Sequence, residues 1–198
     1  IVIAQQEDFD KTWKKIQEEM AEQKIFIKTP KKLTEKQKDF ARKYFDEEVE
    51  SNVIPILLHD NVPLPYLREK SLYLGIAMRR KDWQYTTKFA IIEVPAKSNG
   101  RFVILPTENN DETDIMLLED VIAFNLPHIF SYFGYDEFKA NAFKVTKDAE
   151  FDLDNDIRTS YAEKIEKGIK SRRKGKPTRF VFDKDMDKSL VEFLIKKL

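Results

Sequence analysis

The chain has 198 residues, 35% of them charged and 41% hydrophobic, with a formal net charge of zero. That is the profile of a soluble, highly charged globular chain, long enough for one large domain or two small ones, and its net charge says nothing about a polyanionic partner. Cysteine is absent, which excludes disulfides, thiolate catalysis and Cys-ligated zinc. No apolar run approaches the roughly 18 residues of a membrane span, and the opening Ile1-Val2-Ile3-Ala4 has no basic flank of the signal-peptide kind.

Phe9, Trp13, Ile16 and Met20 fall on one face of a helix predicted over about 8–22. Residues 24–28 read as a short strand, and Pro30 breaks the pattern. Thr34-x-x-Gln37 is a capping box, opening a helix with Phe40, Ala41, Tyr44, Phe45 and Val49 on one side. Pro55 sits inside the apolar run 53–58, so that strand belongs at a sheet edge. Residues 60–65 form a turn or loop stiffened by Pro63 and Pro65.

Residues 72–78 and 86–94 are the clearest strands, flanking a hairpin turn at 79–83. A second turn at 97–100 leads to a short strand over 101–105. Residues 107–113 read as an exposed acidic loop, and 115–126 as helix stopped by Pro127. Residues 129–135 are rich in aromatics.

In 141–153, Phe143 and Val145 alternate with Lys144 and Thr146, the period of a strand with one buried face, and Lys147 closes it. Asp148, Glu150 and Asp152 follow, and then the spacing becomes helical through Ile157, Tyr161, Ile165 and Ile169. A strand over 179–182 and an amphipathic helix with Leu190, Val191, Leu194 and Ile195 end the chain. Helices and strands mix without strict alternation. The expected fold is α+β, a mixed, largely antiparallel sheet packed with helices, with the N-terminal helices free to stand out as an arm. No internal repeat or domain-scale linker is visible, so residues 1–198 read as one domain. The chain does not begin with Met and ends within a helical pattern, so it reads as a piece of a longer protein.

The inventory for catalysis is thin. None of the five glycines forms a phosphate-cradling loop. His59 and His128 have no carboxylate or second histidine at metal-ligand spacing and read as surface or packing residues. No catalytic residue and no metal ligand is assigned. The acidic cluster from Asp148 to Asp156 has two readings, helix capping or Mg²⁺ binding, and capping explains its C-terminal half directly.

Basic residues are better placed. Residues 164–179 carry eight basic residues and one acidic one. Such a run is either a solvated helix end or a surface that binds a charged polymer by releasing its counterions. Lys144, Lys147 and Arg101 are the candidates for a specific polyanion-binding wall, because strands hold side chains in fixed positions. Nucleic acid is disfavoured, since 164–176 lacks the interleaved aromatics that stack on single strands.

The 141–153 stretch resembles the large, phosphohistidine type of polyphosphate kinase, whose middle or head domain ends in a strand of the form Phe-Arg-Val-Thr-Arg-Asp-Ala-Glu/Asp. Lys144 and Lys147 stand at its two basic positions, keeping the charge but giving up bidentate phosphate geometry. Leu33-Thr34-Glu35-Lys36-Gln37, Asn52–Leu57, Ser71–Leu74, Phe89–Pro95, Arg101–Pro106, Leu117–Ile122, Thr178–Val181 and the closing Leu190–Leu198 are similar to the family's other elements, in order.

The resemblance implies an enzyme that moves the γ-phosphate of ATP reversibly onto polyphosphate through a phosphohistidine with Mg²⁺. It implies an N-terminal domain before this chain and two catalytic domains after it. The piece itself then has no cofactor and no activity. It supports assembly of a dimer or tetramer and contributes to a basic tunnel for ATP and polyphosphate. Its partners would be the other domains of the same polypeptide, a second copy and polyphosphate. Its place would be the cytoplasm, or the periphery of the inner membrane. The alternative is a polyanion- or phospholipid-binding module with no kinase role.

Overall fold

Local chemistry is most explicit at Thr34. Its hydroxyl accepts from the Gln37 backbone N–H while the Gln37 side chain accepts from the Thr34 N–H, a complete capping box. The computed structural model describes residues 2–147 and 177–198, which form two compact units. The first comprises Ile1–Val53 and Pro95–Ile129; the second comprises Ile54–Val94 and Phe130–Leu198.

In the first unit, helix α1 (Val2–Glu22) begins six residues before the expected start, because nothing ahead of Asp8 breaks a helix. Its residues from Gln5 to Glu19 are all exposed. Helix α2 (Glu35–Tyr44) behaves differently: Ala41 is buried, and so are Phe45 and Val49 in the π turn that follows. Of the two N-terminal helices, only α1 has the exposure of an arm.

A three-stranded sheet in this unit has the order β1 (Ile25–Ile27), β6 (Thr113–Leu117), β5 (Phe102–Leu105). Strands β1 and β6 run parallel, β5 and β6 antiparallel. The sequence placed the first part of β6 in a loop and the rest in a helix. Residues 113–117 are a strand because they fill the gap between two short partners, and the helix begins only at α4 (Leu118–Phe124). The short helices α3 (Ala96–Asn99) and α5 (Leu126–Ile129) complete the unit. Its buried side chains include Phe45, Val49, Met116, Leu118, Ile122 and Leu126.

The second unit is built on an antiparallel sheet in the order β2–β4–β3–β7–β8. Strand β2 (Pro55–Leu58) lies at the edge, as Pro55 requires. Strands β3 (Tyr73–Arg80) and β4 (Trp83–Glu93) form the expected hairpin. Strand β7 (Glu137–Lys147) is longer than its sequence signal because residues 137–143 pair with residues 73–79 of β3. Strand β8 (Pro177–Phe182) pairs with its other edge.

One face of this sheet is covered by helix α6 (Lys188–Lys197), capped by Asp187, whose carboxylate accepts from the N–H groups of Ser189 and Leu190. Leu190 and Leu194 pack with Tyr73, Ile91, Phe143 and Val145 in one cluster. Burying each large side chain contributes roughly 1.5–3 kcal/mol. The helix expected around Ile157–Ile169, the acidic cluster from Asp148 and the basic run up to Lys176 lie outside the described residues. No helix among the described residues is long and apolar enough to cross a membrane.

Candidate functional site

Strand β7 places two of the three basic candidates. Phe143 and Val145 are buried while Lys144 and Thr146 are exposed, the alternation that the sequence predicts. The register of β7 against β8 slips between Thr146 and Lys147, and Thr178 of β8 is the extra residue. The bulge therefore belongs to β8, and β7 keeps its alternation to the end. Lys147 shares the covered face with Phe143 and Val145, and its ammonium lies 4.5 Å from the Tyr66 ring centroid. Lys144 is on the opposite face. The two lysines are close in sequence but do not line one wall.

Arg101, the third candidate, precedes β5 in the first unit. Its carbonyl accepts from the Leu118 N–H at the start of α4, which fixes the two segments side by side. One edge of its guanidinium faces Glu119: Nη2 donates to Oε1 at 2.6 Å and Nε to the same oxygen at 3.1 Å. Glu119 is buried, so this cation balances a carboxylate that has left water. Burial pushes the neighbouring Asp120 carboxyl up to about 6, with help from the Glu119 charge and against the pull of Arg101.

A second buried carboxylate went unrecognised in the sequence. Asp114, in a run that reads as acidic loop and helix, is buried in β6. Gln37 Nε2 donates to its Oδ2 at 2.7 Å and to the Pro106 carbonyl at 3.1 Å. Lys28 Nζ stands 3.3 Å from Oδ1, close enough for charge pairing but outside hydrogen-bonding direction. The capping-box glutamine thus has a tertiary role, which its i to i+3 spacing does not reveal.

His128 is isolated in sequence but not in space. Its Nε2 lies 3.3 Å from Glu50 Oε1 and 3.9 Å from Asp46 Oδ1. Linear spacing could not show this, because His128 and Glu50 are 78 residues apart. His59 lines a shallow cleft with Lys88, Glu192 and Lys196.

These features define a domain that pairs buried carboxylates with partly exposed cations and presents Lys144 from a strand within its sheet. Its fold matches a known one: the crystal structure of polyphosphate kinase from Porphyromonas gingivalis superposes with a TM-score of 0.76 over 99% of this chain and 27% of that one, at 24% identity. Residues 36–198 match the family described as the polyphosphate kinase middle domain. The polyphosphate kinases of Vibrio parahaemolyticus and Escherichia coli K12 are 33% and 32% identical over 97% and 100% of this chain. The chain belongs to the polyphosphate kinase family, as its middle domain. It spans 28% and 29% of the length of those two relatives.

Proposed function

We propose that this chain is the non-catalytic middle domain of an enzyme that transfers the ATP γ-phosphate reversibly to polyphosphate through a phosphohistidine with Mg²⁺, and that its own task is association. An N-terminal domain would precede it and two catalytic domains would follow. The observation that carries the association role is α1. Phe9 is 62% exposed, Trp13 37% and Ile16 41%, all on one helical stripe. A row of large apolar side chains on an otherwise charged helix marks an interaction surface. A second copy of the chain is the partner we assign to it, giving a dimer or a higher homo-oligomer in the cytoplasm.

The second task is electrostatic. Of the candidate contacts to polyphosphate, Lys144, Lys147 and Arg101, Lys144 is the exposed, strand-held one, and Lys147, on the opposite face of β7, would have to act separately from it. Arg101 already balances Glu119, so its contribution to an anionic polymer should be the smallest of the three.

Light scattering on the purified enzyme tests the first task. Phe9→Glu together with Ile16→Glu should lower the oligomer mass, and an unchanged mass at all concentrations would remove α1 from the interface. Polyphosphate titration at two salt concentrations tests the second task. Lys144→Glu should weaken binding and flatten its salt dependence, whereas wild-type affinity and salt slope would dismiss the lysine.

A further inference from the structure

We propose that Asp46, Glu50 and His128 form a binding site for a divalent first-row transition ion of the zinc type. The three ligand atoms, one from each side chain, lie within 4.8 Å of one another. A metal about 2.1 Å from each donor requires donor–donor separations of about 3.0 Å in octahedral and about 3.4 Å in tetrahedral geometry. The observed 3.3 Å from His128 Nε2 to Glu50 is close to the tetrahedral value, the 3.9 Å to Asp46 is longer, and the two carboxylate oxygens lie within 4.8 Å of each other. Small rotations of exposed side chains close the difference. One imidazole nitrogen with two carboxylate oxygens suits zinc and its neighbours. It suits Mg²⁺ less well, since that ion prefers oxygen donors throughout.

The donors sit on a braced frame. Asp46 belongs to the π turn Phe45–Val49, and the Glu50 N–H closes the turn by donating to the Phe45 carbonyl. Four residues apart, the two carboxylates share one side of the turn. Phe45 and Val49 are buried beneath them. The Phe45 ring meets the His128 imidazole edge-on, 6.2 Å between centroids. The frame is tied together by Asn125, a buried residue whose Nδ2 donates to the Ala41 carbonyl of α2 at 3.4 Å and to the Val121 carbonyl at 2.9 Å. The Asn125 carbonyl in turn accepts from the His128 N–H. π turns recur at functional sites because the extra residue re-aims side chains.

A cleft of about 350 Å³ opens beside the triad, lined by Arg42, Phe124 and Pro127 along with Asp46, Asn125 and His128. It leaves the remaining coordination positions to water or a small anion. Arg42, the cation at its rim, is paired with Asp39 at 2.9 Å and lies over the Phe124 ring. Its charge is thus partly compensated. Bound metal would pin the end of α2 to α5, a structural clamp within the first unit.

The test is calorimetric titration of the whole enzyme with Zn²⁺, comparing wild type with His128→Ala, Asp46→Asn and His59→Ala. Zinc sites elsewhere in the enzyme contribute equally to all four. His128→Ala should remove one zinc equivalent, Asp46→Asn should weaken that equivalent because a neutral amide oxygen replaces a carboxylate donor, and His59→Ala should bind like wild type. The melting temperature of the wild type should rise with zinc more than that of His128→Ala, because an ion held only by the folded state stabilises it. Equal zinc stoichiometry and affinity in wild type and His128→Ala would overturn the site, and so would an Asp46→Asn titration identical to wild type.

Discussion

Arg101 and Glu119 face each other edge-on, with Nη2 and Nε both donating to Oε1, at 2.6 and 3.1 Å. The carboxylate is buried and the guanidinium side chain is 47% exposed. Removing the cation strands a charge in the interior, which costs more than the pair contributes while intact. Arg101→Ala should therefore destabilise the domain by roughly 2–3 kcal/mol, read by urea denaturation. Arg101→Ala combined with Glu119→Leu should recover most of that loss. An equal loss in the single and double variants would mean that packing, not charge, holds this corner.

Asp120 gives the fold a pH dependence. Its carboxyl is raised from 3.8 to about 6, chiefly by burial. The folded state then binds a proton more tightly than the unfolded chain. The resulting stabilisation is complete below about pH 4 and is lost as pH rises through about 6. Asp120→Asn removes the cost of ionising a half-buried group. It should raise stability at pH 7.5 by on the order of 1–2 kcal/mol, after discounting for partial exposure, and by little at pH 4. Thermal melts at the two pH values decide it, and a gain independent of pH would assign the effect to something other than this carboxyl.

Gly75 lets α6 lie close on β3. A Cβ there would stand 3.1 Å from Leu190 Cδ2 and 3.3 Å from Met186 Cε, with Phe143 Cδ1 at 3.4 Å. Gly75→Ala should cost about 1–3 kcal/mol through overpacking. Pairing it with Leu190→Val should return part of that stability. Denaturant midpoints measure both, and no rescue would point to the strand backbone as the source.

Gln37 closes the α2 cap and also donates to Asp114 and Pro106. Thr34→Ala removes only the cap, at about 1 kcal/mol. Gln37→Ala also leaves a buried carboxylate with one donor fewer, so roughly 2–3 kcal/mol is expected. Equal losses in the two variants would show that Gln37 acts through the cap alone.

The elements most legible in the sequence are those whose signal is local. The capping box at Thr34, the 79–83 turn joining β3 and β4, the edge position of Pro55 and the alternation of Phe143 and Val145 all depend on neighbours a few residues away. A cap needs a hydroxyl and an amide three apart, and a half-buried strand needs a period of two; both are written along the chain. The strand β6 is not, because five residues between two short partners become a strand only when those partners arrive from positions 25–27 and 102–105.

The candidate site divides in the same way. That Lys144 would be exposed on a strand was readable from its neighbours, and that Lys147 turns to the covered face follows from β7 keeping its alternation while β8 takes the bulge. The partners of Arg101, Asp114 and His128 were not readable. Each side chain meets its counterpart across 18, 77 and 78 residues of chain respectively. Charge pairing at such separations depends on where the backbone returns, and that is decided by packing of the apolar faces rather than by any pattern in the charged residues themselves.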